Sequence, residues 1–254
     1  MFEATGTTRR LSSPPSVCIV RNILLTTLPE VEFALLRPHL ERVKLRRNEI
    51  LHDAFGCPNL VYFIELGIVS RVVRTARDGS VEVANVGRFG FVGVSVVLGT
   101  MQAIQRSVVL VPGTALVIEA EKLRLIMAER PAIKEHLLKY VQLLMALQAQ
   151  IVLCNARHEI PQRVARWLLR ARELLESDTL PVTHSLIAGA LGVRRAGVSR
   201  ALADMEADGV IEGARGSLRI VDLEALRHRA CDCHLELTDR FRLLTDMPNH
   251  AHVV

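Results

Sequence analysis

Residues 183–205 read THSLIAGALGVRRAGVSRALADM. The Thr183 hydroxyl can cap the first free amides of a helix. Leu186, Ile187, Ala190 and Leu191 give that helix an apolar face. Gly192 ends it, because glycine accepts the left-handed backbone of a helix terminus. Val193 opens a short turn, and a second amphipathic helix follows with Val198, Ala201, Leu202 and Met205 facing inward. Ala188 is small enough to let the helices cross closely, and Val198 plugs the angle between them. Helix, glycine-containing turn, helix is the pattern of a helix-turn-helix.

The second helix then presents its N-terminal residues outward, where a major groove can receive them. Those residues are Arg194, Arg195, Ala196, Ser199 and Arg200, with three positive charges and no acid until Asp204. An arginine can fork onto guanine O6 and N7 or clamp a phosphate, and Ser199 can reach either. Arg195 and Arg200 are the expected base readers, and Arg194 and Ser199 make mixed base and phosphate contacts. Downstream, Val210-Ile211, Gly213 to Gly216 and Ser217 to Val221 read as strand, tight turn, strand. This is a wing with Arg215 at its tip and Arg219 on the second strand. Thr183, His184 and Arg215 are the expected contacts to the DNA backbone.

Upstream, Ile160-Pro161 opens a helix, proline being suited to a first turn, and Val164, Trp167, Leu168, Ala171 and Leu174/Leu175 form its apolar stripe. Trp167, the single tryptophan, reads as a core anchor. From Pro131 to about Arg157, Leu137, Val141, Leu144, Leu147, Ile151 and Cys154 recur every three or four residues. They make roughly three heptads of an a/d seam. A helix of that length runs ~40 Å, too far for a small domain to cover, so these residues are expected to pair with a second copy.

Before that helix the texture is short and alternating. Leu60 to Glu65, Ile68 to Arg74, Ser80 to Val86, Ser107 to Val111 and Thr114 to Ile118 are strand-like, each bounded by Gly, Pro or Asp. Asp78-Gly79 suits a tight hairpin, and Leu66-Gly67 and Pro112-Gly113 read as further turns. Many short antiparallel strands without intervening helices imply a small barrel or roll. The fold class expected is α+β: an N-terminal antiparallel β-roll of the double-stranded β-helix (jelly-roll) type, a long dimerisation helix and a C-terminal winged helix-turn-helix. The expected divisions are a tail over 1–18, the roll over 19–130, the long helix over 131–158, the winged unit over 159–226 and an extension over 227–254.

The bulk properties are compatible with this. The chain has 254 residues, half of them hydrophobic, and a net charge of +5 supplied by 28 arginines against four lysines. Arginine's planar fork suits phosphate and guanine edges, although GC-rich coding gives the same ratio. No run of ~18–20 uncharged apolar residues and no leader are read, so no membrane is expected and the cytoplasm is the expected location. Five scattered cysteines argue for reduced thiols rather than a disulfide framework.

On these residues the chain resembles the Crp/Fnr transcriptional regulators over roughly 22–225. Besides the helix-turn-helix, the likeness rests on Val61-Tyr62-Phe63-Ile64-Glu65-Leu66-Gly67, Asp78-Gly79, the Gly93, Arg106 and Ser107 positions, and RVARWLL over 163–169. It implies a homodimer on a pseudo-palindromic duplex, controlled from the roll, with RNA polymerase as a further partner. In cyclic-nucleotide-binding members a Gly-Glu pair holds the ribose and an Arg-Ser pair the phosphate. Gly93, Arg106 and Ser107 match, but Val94 stands at the glutamate. A valine leaves the ribose hydroxyl unpaired at a cost of ~1–3 kcal/mol, so a classical cyclic nucleotide is not the expected effector. The family's Arg-Glu-Arg reading head is matched by Arg195 and Arg200, with Ala196 at the glutamate. Alanine cannot accept from cytosine, although it can touch a thymine methyl.

Other chemistry is set aside. His228, Cys231, Cys233 and His234 form a metal-like cluster, but Cys-x-Cys departs from the usual zinc-ligand spacing, and no metal site is expected. Cys18 alone cannot hold the N-terminal iron–sulfur cluster of Fnr-like members. There is no glycine-rich phosphate loop, no G-x-S-x-G and no H-E-x-x-H, and His158-Glu159 reads as a hinge or cap, so an enzyme is not expected. The rival function is a small-molecule or redox sensor that signals through a protein partner.

Overall fold

The computed structural model describes residues 19–75 and 79–234. The expected N-terminal tail with Cys18, the turn residue Asp78 and the chain beyond 234 lie outside the described residues. Two short helices, α1 (Ile23–Thr26) and α2 (Glu30–Leu36), lead into the roll. Asn22 caps α1 and also donates to the carbonyls of Ile64 and Gly90, each at 2.8 Å, which fixes the entering chain to the strands.

The roll is one six-stranded antiparallel sheet. Its strands are β1 (Glu41–Leu45), β2 (Ile50–His52), β3 (Leu60–Thr75), β4 (Gly79–Val86), β5 (Phe91–Val92) and β6 (Arg106–Glu119). The main path runs β1-β6-β3-β4, with β2 on β6 and β5 on β3. The turns expected at Leu66-Gly67 and Pro112-Gly113 are instead bends inside two continuous strands. The β3–β6 register shifts between Ile64 and Val69, where the two glycines face each other. A Cβ on Gly113 would stand 1.9 Å from the Leu66 carbonyl oxygen, and one on Gly67 2.5 Å from that of Val111. Glycine in a strand marks such a close backbone approach as readily as it marks a turn. Between β5 and β6 lies a helix the sequence did not announce, α3 (Val94–Leu98), bracketed by Gly93 and Gly99 at φ +120° and +84°.

After β6, α4 (Ala120–Glu129) leads into α5 (Pro131–Arg157). The residues expected to form the intermolecular seam are turned the other way. Leu137, Val141, Leu144, Leu147 and Ile151 are buried in the chain's own core with Val61, Phe63 and Phe91, and Cys154 is buried beside Cys231 and Cys233. Their bulk is what covers the open side of the roll. The face left exposed is a second stripe, Gln142, Met145, Ala149, Val152 and Ala156, spaced three, four, three, four, with the half-buried Leu138 at its N-terminal end still packed on the core. Met145 is 66% exposed and Val152 69%. Among the described residues, α5 is also the one helix long and apolar enough to meet a membrane-span criterion, with a mean hydropathy of 1.6 over its best window. Half of that window is buried in the protein.

The C-terminal part comprises α6 (Ile160–Leu175), β7 (Thr179–Leu180), α7 (His184–Leu191), α8 (Arg195–Ala207), β8 (Ile211–Ala214), β9 (Ser217–Ile220) and α9 (Leu223–Arg229), with strand order β7-β9-β8. Its core gathers Val164, Trp167, Leu168, Ile187, Val198 and Leu202 and extends to Ile68 and Val111 of the roll. Trp167 anchors that junction, donating from Nε1 to Glu82 Oε1 at 3.2 Å, while Ser70 Oγ donates to Glu82 Oε2 at 2.6 Å.

Glu82 is buried, and burial pushes its carboxyl above the ordinary range, opposed by the bonds from Ser70 and Trp167 and by the charge of Arg166. The folded state therefore holds this proton more tightly than the unfolded chain. The group's cost to stability is absent below the unfolded value of about 4.3 and grows as pH rises through the folded value. In Glu82→Gln the amide oxygen can still accept from Trp167 and the amide nitrogen can donate to Ser70. Denaturant titrations of that variant at pH 5 and pH 8 are expected to show its stability relative to the parent rising toward pH 8. A difference that falls with pH would contradict the buried carboxylate.

Candidate nucleic-acid interface

The helix-turn-helix is built as its residues dictate. Thr183 Oγ1 accepts from the Leu186 amide at 3.2 Å, capping α7. Gly192 ends that helix in the left-handed region at φ +63°. A Cβ there would also come within 2.8 Å of Val81 Cγ2 on β4, so packing on the roll demands glycine as well. Arg194 is the extended N-cap of α8, and Val198 is fully buried between the helices.

Arg194, Arg195, Ala196 and Arg200 are exposed and Ser199 half-buried. Four-residue spacing lines Arg195 up with Ser199 and Ala196 with Arg200, so the five share one outward patch with the N-cap arginine. His184 Nδ1 and Ser199 Oγ are 3.0 Å apart, which ties the start of α7 to α8 and engages the serine within the protein. The wing is a tight hairpin, Ala214 opposite Ser217, with Arg215 exposed at its tip. Glu206 Oε1 accepts from the Gly213 amide at 3.0 Å and fixes the wing against α8. Arg219 is engaged, bonded to Glu212 at 2.6 Å. Arg194, Arg195, Arg200 and Arg215 have no ion pair among the described residues. Four exposed cations around one helix end and one hairpin tip make a surface that a polyanion can neutralise.

The expected effector residues have structural occupations. Arg106 forms a bidentate pair with Asp53, at 2.8 and 3.0 Å, and that hydrogen bonding holds the Asp53 carboxyl below its usual range. Ser107 is buried on β6 opposite Arg71 and His52. At Gly93 an added Cβ would meet Val61 Cγ2 at 2.9 Å, so the positive φ and tight packing account for the glycine.

The cysteine and histidine grouping differs from the expectation. His228 is exposed, and His234 Nε2 lies 3.4 Å from Glu173. Cys231 and Cys233 meet Cys154 and His158, and the four ligand atoms all lie within 4.8 Å of one another. The sequence signal for this was Cys154-x-x-x-His158 on the last turn of α5, hidden because Cys154 continued an apolar stripe.

Comparison with known proteins agrees with this geometry. A family model described as a Crp-like helix-turn-helix domain matches residues 162–229. No curated protein matches the chain by sequence. Among solved structures, FixK2 from Bradyrhizobium japonicum is similar at a TM-score of 0.65 and 17% identity, covering 76% of this chain and 98% of its own. The c-di-GMP-responsive global regulator CLP of Xanthomonas campestris gives 0.62 and 15%, with 76% and 99% covered. A CRP-family transcriptional regulator of Thermus thermophilus gives 0.62 and 21%, with 74% and 95% covered. The chain thus carries a Crp-like helix-turn-helix domain over residues 162–229, on a fold similar to that of solved CRP-family transcriptional regulators.

Proposed function

We propose that the chain acts in the cytoplasm as a homodimer that reads a pseudo-palindromic duplex, with RNA polymerase as the onward partner. The observation that carries this is the exposed patch of Arg194, Arg195, Ala196 and Arg200 beside the Arg215 wing, free of ion pairs among the described residues. Two copies paired through the outer stripe of α5 would set two recognition helices about 34 Å apart, one turn of DNA. Arg195 and Arg200 read bases; Arg194 and Ser199 serve bases and phosphate; Thr183, His184 and Arg215 hold the backbone. The roll supplies the input. With Arg106 already paired to Asp53 and Val94 at the ribose position, that input is a ligand other than a cyclic nucleotide.

Selection of binders from random duplexes with the purified chain tests the proposal, the expected result being an inverted repeat with half-sites one helical turn apart. Enrichment of nothing above input would count decisively for the rival, a sensor signalling to a protein. Affinity for the selected site should fall steeply with salt as counterions are released. Arg215→Ala should weaken binding about equally on matched and mismatched duplexes and reduce the salt slope by about one per half-site. A slope that does not change would remove Arg215 from the phosphate contacts.

A further inference from the structure

Four side chains from opposite ends of the C-terminal half converge at the joint between α5 and α6. Cys154 and His158 come from the last turn of α5 and its C-cap. Cys231 and Cys233 come from the segment just after α9. Cys154 Sγ and Cys231 Sγ are 3.6 Å apart, and Cys233 Sγ and His158 Nδ1 are 3.5 Å apart. A tetrahedral zinc ion with Zn–S near 2.3 Å and Zn–N near 2.0–2.1 Å has S···S edges of about 3.8 Å and S···N edges of about 3.6 Å. The two observed edges thus lie within about 0.2 Å of those a bound zinc would set. We propose that Cys154, His158, Cys231 and Cys233 form a mononuclear Cys3His zinc site that clamps the winged helix-turn-helix to the end of the long helix.

The donor set selects the metal class. Three soft thiolates and one imidazole in a tetrahedron suit Zn2+ and exclude Mg2+ and Ca2+, which take oxygen ligands. All four ligand atoms lie within 4.8 Å of one another, so side-chain shifts of about 1 Å would close them on one ion. That spacing is too tight to wrap a cluster of several irons, whose thiolates sit on different metals. All three cysteines are buried, whereas Cys57 is exposed, and His158 is half-buried at the rim, where an ion can enter.

The charge around the site points the same way. Three thiolates, Zn2+ and a neutral imidazole carry a net charge of −1. Arg163 and Arg166 are buried, and the Nε atoms of both have no hydrogen-bond partner among the described residues. Arg166 interacts electrostatically with Cys154 and Glu82, and Arg163 with Cys154 and Cys231. An anionic metal centre would place a compensating negative charge beside these two buried guanidinium groups, of which Arg166 also faces Glu82 and Arg163 donates to the Leu191 carbonyl. The clamp closes across residues 155–160, where α5 gives way to α6. Occupancy therefore fixes how the two elements are joined, and this holds whether or not the chain binds DNA.

The test uses the full-length chain, expressed with Zn2+ and gel-filtered into metal-free buffer. Elemental analysis should find about one zinc per chain. A mercurial titrated onto the thiols should release it in step with three equivalents beyond those taken by Cys18 and Cys57. Substitution by Co2+ should give thiolate charge-transfer and tetrahedral d–d absorption. These readouts need no variant, so they stand even if Cys231→Ser/Cys233→Ser folds poorly. That double variant should lose the ion, Cys57→Ser should keep it, and zinc removal should speed amide exchange over residues 155–160. The proposal is overturned by a parent chain that retains less than about a tenth of an ion after incubation with equimolar Zn2+. It is equally overturned by zinc retained in the double variant, or by a Cys154–Cys231 disulfide found as the resting state.

Discussion

Met145→Glu combined with Val152→Glu should convert a dimer into a monomer at micromolar concentration while leaving the fold intact. Both side chains stand out from α5, 66% and 69% exposed, one heptad apart. In a parallel pair of helices each would face its own copy, so every substitution sets two carboxylates against each other in a desolvated seam. Exposed substitutions of this kind change monomer stability by no more than about 0.5 kcal/mol. The effect on DNA should be large. In a dimer the second recognition helix binds intramolecularly at an effective concentration near the millimolar range, and separating the heads forfeits about 10²–10⁴ in affinity for the full site. Leu137→Ala is the matching control, since Leu137 is fully buried on the roll. It should cost about 2–5 kcal/mol of stability without dissociating the dimer. Sedimentation and duplex binding measure both. A dimer that survives the double glutamate would remove the outer stripe as the interface.

That reversal of faces shows where the sequence was legible and where it was not. Alpha5 carries two apolar stripes offset by one residue, or about 100° of helix. Each repeats at heptad spacing, and periodicity alone does not say which meets the roll. The bulkier stripe took the roll, as packing favours, and the sparser one that carries Met145 and Val152 was left outward. The helix-turn-helix was legible because its determinants are local: a cap at Thr183, a left-handed glycine at 192, a plug at Val198. The bends at Gly67 and Gly113 were misplaced as turns because the contact that requires them joins strands some 46 residues apart. Alpha3 went unseen because a β-branched run between two glycines carries no helical signal beyond its length. The cysteine–histidine convergence spans 77 residues, beyond any spacing rule applied to neighbouring ligands.

Arg195→Ala and Arg200→Ala should each cost about 1–3 kcal/mol per half-site. In the proposed homodimer the substitution is present twice, so the loss on a full site should reach about 2–6 kcal/mol, or roughly 30-fold to 10⁴-fold in affinity. The sign of specificity separates these residues from the phosphate contacts. Loss of a forked bond to guanine should flatten the preference at one base pair in each half-site. Loss of Arg215 at the wing tip should lower affinity without altering the preferred sequence. Ala196 gives the converse case. It stands on the same exposed patch, one helical turn below Arg200, and has no acceptor for a cytosine amino group. Ala196→Glu should therefore introduce a preference for cytosine at the position it faces, at some cost in affinity from the added negative charge near phosphates. Selection from random duplexes with the four proteins side by side reads all of these at once. If Arg195→Ala and Arg200→Ala left the selected sequence unchanged, the base-reading role would pass to other residues, and the exposed arginines would be backbone clamps alone.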